Sequence, residues 1–232
     1  REQAELMGYT VVEPPAVLAT HLTEVIKAHA FEVLTRQDTQ AHIDRIKEKS
    51  PTVVEELIPE NLTVGAVQKV MQNLLKERIP VRDTQTILEC LSDYAAVTKE
   101  PDVLTEYVRG SLGRTICQLY QNDEGSVPLL TVAPELEQQI AEAMQSTAGG
   151  IKVVLAPDLL SQLSEQLSER IDAMVSNGQT PIVLTSPNVR LAFRRVTETT
   201  FPSLTVLSYN EIVPGVDIYS VGTVSVDQAN EN

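Results

Sequence analysis

The most regular stretch of the chain runs from Thr63 to Ala96. Val67, Val70, Met71, Leu74 and Leu75 recur at helical spacing, with Gln68, Lys69, Gln72 and Lys76 between them. This predicts a helix that stops near Arg78, because Pro80 cannot continue it. Ile87, Leu88, Leu91, Tyr94 and Ala95 form a second stripe, and Asp83 is placed to cap its helix. The connection between the stripes is short, so they face each other or share a third partner. A helix-pair core is the simpler reading. A DNA-reading helix-turn-helix is the sharper one, and the acidic balance of the chain opposes it.

Upstream, Gln3 to Met7 reads as the tail of a helix ending at Gly8, and Tyr9-Thr-Val-Val12 as a short β-prone run. Glu13-Pro-Pro15 breaks that run. A helix follows to about Thr35, with Pro14 or Pro15 in its first turn. Its apolar side is Val17, Leu18, Leu22, Val25, Ile26, His29, Ala30, Val33 and Leu34. A strand and a long helix with nothing before them read as the remnant of a preceding domain, residues 1–35. Residues 36–121 are predicted all-helical. Thr35 or Asp38 caps a helix carrying Ala41, Ile43 and Ile46, and Pro51 to Pro59 brackets a short one. Val103 to Leu119 marks one more, with Gly110 and Gly113 inside it as positions of close helix approach.

After the polar turn Asn122-Asp-Glu-Gly125 the period changes. Strands are predicted at 127–132, 151–155, 181–185, 204–208 and 217–226, and helices at 134–144, 157–175 and 188–199. Alternating strands and helices make residues 122–232 a small α/β subdomain with a mostly parallel sheet. The last strand follows a short connection, so an antiparallel placement is open to it. The fold class is thus a helical-bundle subdomain followed by an α/β subdomain, preceded by the strand–helix remnant. Residues 227–232 read as a frayed end.

Composition narrows the function. The 232 residues are 42% hydrophobic but only 4% aromatic, with no Trp, so the core is aliphatic and base stacking is excluded as a main mode. The formal net charge of -14 disfavours nucleic acid and anionic lipid as partners. No run is apolar for long enough to span a bilayer, which predicts a soluble piece. Position 1 is Arg, which reads as a fragment or a processed product. Cys90 and Cys117 lie on apolar stripes and read as buried reduced thiols.

The search for chemistry returns little. His21, His29 and His42 are the three histidines, without metal-ligand spacing, so no metal and no cofactor is expected. There is no nucleophile elbow and no phosphate loop. Thr185-Ser-Pro-Asn188 lacks the glycine that a close pyrophosphate needs, and reads as a turn with a cap. Arg190, Arg194 and Arg195 form a basic stripe. Pairing with the chain's own carboxylates is favoured over gripping a partner's. No catalysis is expected. An enzymatic or small-ligand site at the strand ends is the alternative.

Several stretches resemble the cytoplasmic part of the flagellar export-gate family of type III secretion, the FHIPEP family. They are Gly8-Tyr-Thr-Val-Val-Glu-Pro-Pro-Ala-Val-Leu-Ala-Thr-His-Leu22, Glu56-Leu-Ile-Pro59, Val67 to Asp83, Ile87-Leu-Glu89, Val108-Arg-Gly-Ser-Leu-Gly-Arg114 and Leu204 to Ser208. Injectisome relatives share the pattern more loosely. The resemblance implies a membrane-embedded first half absent from this sequence, and a cytoplasmic half of four subdomains at the inner membrane. It implies a nonameric ring that receives export substrates, chaperone–substrate complexes and soluble export-apparatus components. The family's chaperone-docking depression lies between the first two subdomains, so most of it is missing here. Thr20 resembles a position implicated in docking. Arg82 and Asp83 are candidates for contacts between subdomains or ring subunits, with a local structural role favoured.

Overall fold

A computed structural model describes residue 7 and residues 12–147 and 150–226 of the chain. The helix tail before Gly8, most of the β-prone run Tyr9–Val12 and the end after Val226 lie outside the described residues. The chain divides into two compact units, residues 1–84 and 85–232.

The first unit is helical: α1 (Pro14–Val33), α2 (Arg36–Lys49), α3 (Pro51–Leu57) and α4 (Val64–Lys76). Pro14 supplies the first turn of α1, where its missing N–H is no loss. A reciprocal capping box opens α2: Thr35 Oγ1 accepts from the Asp38 N–H at 3.1 Å, and Asp38 Oδ2 accepts from the Thr35 N–H at 3.0 Å. Thr63 caps α4 in the same way from one side. The predicted stripe of α4 is the core: Val67, Val70, Met71 and Leu74 are fully buried. Both α2 and α3, and α2 and α4, are in contact.

The end of α4 has a different cause from the one the sequence suggests. The Ile79 N–H reaches back to Leu74 O at 3.0 Å, and the Arg78 N–H to Leu75 O at 3.0 Å. Those two bonds make a Schellman closure with Arg78 in the left-handed position, φ 59°. The helix has therefore stopped before Pro80 exerts its effect.

The second unit holds α5 (Thr84–Tyr94, which begins at the division), α6 (Pro101–Ser111), α7 (Gly113–Tyr120), β1 (Ser126–Val132), α8 (Pro134–Glu142), β2 (Met144–Thr147), β3 (Gly150–Val153), α9 (Pro157–Ser176), β4 (Ile182–Thr185), α10 (Arg190–Thr197), β5 (Thr205–Ser208), a 3-10 turn (Tyr209–Glu211) and β6 (Asp217–Val224). The four-stranded sheet has the order β5-β4-β1-β6, and every pairing in it is parallel. Leu130, Val132, Val183, Val206 and Val224 share one face with Leu136, Ile140, Leu163, Leu167 and Phe193 of the helices. The alternate positions Val127, Leu129, Ile182, Leu184 and Leu207 are buried on the opposite face. Burial on both sides explains the near-continuous apolar runs of β1, β4 and β5, whereas β6 at the edge is largely exposed.

Three expectations are corrected. First, β6 is parallel: it pairs with β1 at the far edge from β5, with Ser126 opposite Asp217, so its short connection is not a hairpin. Second, Met144 does not end a helix. It opens β2, which pairs antiparallel with β3 in a separate hairpin, so the strand predicted at 151–155 stands outside the main sheet. Third, the helix expected from Val103 to Leu119 is broken at Leu112 into α6 and α7. The backbone of the 3-10 turn comes so near that a Cβ on Gly113 would stand 2.7 Å from Glu211 O. The close approach expected at this glycine is real, but a turn makes it, not a helix.

Candidate interaction surfaces

In the first unit α1 is attached by polar groups. Gln68 and Gln72 of α4 both donate to Leu34 O, at 2.9 and 3.3 Å. Lys76 Nζ sits 5.2 Å from the centroid of the Phe31 ring, and Arg78 Nη1 donates to Glu24 Oε2 at 2.9 Å. Positions 68, 72 and 76 lie one helical turn apart, so α4 presents a row of long polar side chains to α1. Most of the apolar side of α1 faces solvent: Leu18 is 67% exposed and Ile26 60%, and Val17, Leu22, Val25 and Val33 are exposed as well, while Ala30 and Leu34 at its end are half-buried. None of the residues of α1 is buried.

Thr20 is exposed on this helix, one turn before Glu24. Hydrogen bonds from Lys27 and Arg78 hold the Glu24 carboxyl below the ordinary glutamate range. Arg82 and Asp83 are exposed in the connection after α4, immediately before the buried Thr84. Thr84 donates to Val81 O at 3.0 Å and meets His42 Nδ1 at 3.4 Å. The histidines do not come together: His21 and His29 are exposed, and His29 pairs with Glu32 at 3.0 Å. Among the described residues no group of three metal-ligating side chains is assembled.

The second unit uses charge in the opposite way. Asp102, Glu106 and Arg109 follow one face of α6 and all are ion-paired. Arg109 grips Glu211 of the 3-10 turn with two hydrogen bonds of 2.6 and 3.0 Å, both side chains almost fully buried. Glu106 takes two from Arg190, and Asp102 takes one from Arg195. Arg109 and Arg190 both donate to Val206 O of β5, at 3.2 and 3.3 Å. Arg194 instead donates to Leu204 O at 3.1 Å. Arg190 and Arg195 of the α10 stripe therefore pair with the chain's own carboxylates, as favoured, while Arg194 bonds a backbone carbonyl. Arg190 and Arg194, one turn apart, do not share a target. Gly150, at φ 101°, allows the hairpin to pass against the Asp102–Arg195 pair.

Ligands of parallel α/β sheets bind beyond the carboxyl ends of the strands. Here the chain's own carboxylates stand at two of those ends. After β4, Glu137 accepts from the Ser186 N–H at 2.7 Å and from its hydroxyl at 2.5 Å. After β5, Glu211 accepts from the Ser208 N–H at 3.4 Å while it holds Arg109. A notch beyond β6, lined by Gln162, Glu165, Gln166, Ser225 and Val226, encloses about 170 Å³, below the usual range of small-molecule sites. Both cysteines are free and buried, and Cys117 Sγ donates to Glu211 O at 3.3 Å. Burial pushes the Cys90 thiol upward, away from reactivity. The sequence points to Arg190 and Arg195 but not to Asp102, Glu106, Arg109, Glu137 or Glu211. The one local signal was the spacing of charges along α6.

The FHIPEP family profile matches residues 1–217. The flagellar biosynthesis protein FlhA of Bacillus subtilis is 38% identical over 226 residues, 97% of this chain and 33% of that protein. FlhA of Escherichia coli is 37% identical over 224 residues, again 97% of this chain and 32% of that protein. The chain thus spans about a third of the length of the curated relatives it matches. Among solved structures, Chlamydia pneumoniae CdsV superposes with a TM-score of 0.86 at 28% identity, covering 97% of this chain and 65% of that one. CdsV in complex with CdsO gives 0.81 at 28% identity, over 97% and 66%. The nonameric EscV cytosolic domain of a type III secretion system gives 0.74 at 25% identity, over 90% and 61%.

Proposed function

The chain belongs to the FHIPEP family, and from that membership we propose that it is a docking and ring-building module of a flagellar type III protein export gate. It works at the cytoplasmic face of the inner membrane, without catalysis, and receives export substrates, chaperone–substrate complexes and soluble export-apparatus components. The flagellar assignment is supported by identities of 31–38% to FlhA proteins against 24–28% to the solved secretion-system structures. Ring formation is supported by the nonameric EscV assembly, and soluble partners by the CdsV–CdsO complex. Among the described residues no helix is long and apolar enough to cross a membrane.

The observation that carries the reading is α1, held by its polar side with its apolar row exposed. A helix so placed is built to be covered, and in this proposal the covering element is the preceding part of the same cytoplasmic region. Residues 1–35 are then the last piece of the earlier subdomains, 36–121 a helical subdomain and 122–232 an α/β one. Thr20 contributes to partner docking. Arg82 and Asp83, exposed ahead of α5, contribute contacts between subdomains or ring subunits.

This chain holds a minor share of the proposed docking surface. A flagellar chaperone–substrate complex is therefore expected to bind it at least about tenfold more weakly than it binds the complete cytoplasmic region, a difference of about 1.4 kcal/mol. Equal affinity in a calorimetric titration would refute the division. With the local structural role of Arg82 favoured, charge reversal there is expected to lower the melting temperature of the chain; an unchanged melting temperature with weakened ring assembly would assign Arg82 to a subunit contact instead.

A further inference from the structure

The outer edge of β6 is the feature that the docking reading leaves unused. This strand closes one side of the sheet and runs for eight residues. Natural edge strands are kept short or blunted with lysine or proline. From Asp217 to Val224 there is no Lys, Arg or Pro. The one interruption is a bulge at Val221, where the register with β1 passes from Leu129–Ser220 to Leu130–Gly222. Apolar side chains stand open along it: Ile218 is 38% exposed, Tyr219 42% and Val221 39%. Ile218 and Tyr219 point to opposite faces, so an added strand would find an apolar neighbour on each side.

The surroundings state the charge of what fits there. Residues 85–232 contain 19 Asp and Glu against eight Lys and Arg, whereas residues 36–84 contain eight of each. Of the eight cations, Arg109, Arg190 and Arg195 are consumed by internal ion pairs. Beside β6 runs α9, with Gln179 at 3.5 Å from the Tyr219 hydroxyl and Arg170 against Gly222. Glu165 and Glu169 are exposed and continue outward from the Gln166–Arg170 row, and Glu165 lines the notch with Ser225 and Val226. At the other end Asp217 is opposite Ser126, which follows the exposed Asp123 and Glu124. The edge is thus apolar in the middle and acidic along its flank, with Arg170 as the cation beside it.

We propose that β6 is a strand-addition site for an extended segment of a protein partner in which apolar residues alternate with Lys or Arg. Main-chain hydrogen bonds to the outer edge of β6, which no strand among the described residues covers, supply affinity. The apolar side chains cover Ile218, Tyr219 and Val221, and the cations answer the surrounding carboxylates.

The probe is a synthetic peptide of alternating valine and lysine, titrated into the isotopically labelled 232-residue chain and followed by amide NMR. Shifts are expected at 217–223, with affinity that falls as salt rises. Methylating alternate peptide nitrogens should weaken binding at least about tenfold, because the added strand then cannot donate. Ile218→Lys and, separately, Val221→Lys should weaken it while the remaining spectrum is unchanged; both positions are exposed enough to tolerate lysine. Shifts located elsewhere would overturn the proposal, as would an unaffected N-methylated peptide or equal binding of a valine–glutamate peptide. Self-association of the chain through β6, abolished by Ile218→Lys, would assign the edge to a second copy and would also overturn it.

Discussion

Helices α1 and α6 are both fastened by polar and charged side chains, yet with opposite consequences. The contacts of α1 are at the surface: Glu24 and Arg78 are each about half exposed, and the apolar row of the helix faces outward. The contacts of α6 are interior: Arg109 and Glu211 are almost sealed, and Arg190 is wholly so. Exposed pairs contribute little because water and salt screen them. On the proposed reading, an α1 held that way takes its final stability from the element that covers its apolar row. A buried pair is unforgiving, because removal of one partner strands the other in a medium that cannot solvate it. Such pairs specify how α6 meets α10 and the 3-10 turn more than they add to stability.

The largest expected effect tests that distinction directly. Arg109→Ala, or Glu211→Gln, should cost about 3–5 kcal/mol of unfolding free energy in a urea titration. The double replacement Arg109→Met with Glu211→Leu should restore much of the loss, since an apolar pair of similar volume leaves no buried charge. If the double variant is as unstable as the single ones, the pair is a net source of stability. Next comes Gly113→Ala. Its Cβ would meet the Glu211 carbonyl, so backbone must move, and a loss of about 1–3 kcal/mol is expected by thermal melting. Gly110→Ala is the control, for there the nearest atom is an Asn210 side-chain nitrogen at 3.4 Å, which can give way. In the first unit the cap is the counterpart: Thr35→Ala should cost about 1 kcal/mol by removing the acceptor for the Asp38 N–H.

The same contrast explains what could be read from the sequence. Helices announce themselves through one-sided apolar spacing, and α2, α4 and α9 stand where that spacing places them. The parallel sheet is legible too, because strands buried on both faces are apolar throughout. Sequence order carries little about which strand is whose neighbour, and β6 shows why. Its connection from β5 holds only the 3-10 turn and a short loop, but it reaches the opposite edge of the sheet. The hairpin of β2 and β3 was hidden because Met144 continues the apolar spacing of α8 while already extended. The break at Leu112 was hidden for a related reason. Val108, Leu112 and Ile116 keep helical spacing across it, and the turn at Glu211 that packs against Gly113 just after it lies far along the chain. Of the interior charges, α10 shows its arginines as a stripe. Glu211 sits alone in a loop, where no spacing rule applies. Thr20 came from resemblance, and physical periodicity alone would not have selected it, whereas Asp83 is marked by its place ahead of a helix.

The smallest predicted effect concerns α1 and is set by pH. Glu24 is held below the ordinary range by hydrogen bonds from Lys27 and Arg78, and Asp38 by those from Thr35. A carboxyl depressed in the folded state stabilises it fully above its unfolded pKa. That contribution is lost as pH falls through the lower, folded value. Acidification below the ordinary carboxylate range should therefore loosen both the α1 tether and the α2 cap. The two are separable, because Glu24→Gln removes the Arg78 ion pair at every pH and leaves the capping box intact. Hydrogen exchange should then be faster in α1 at neutral pH, little changed in α2–α4, and its acid response in α1 should disappear. Melting of the chain should hardly move, since exposed pairs contribute little. A large drop in melting temperature would mean that the exposed polar contacts are enough to fix α1 firmly, and that its outward apolar row needs no covering partner.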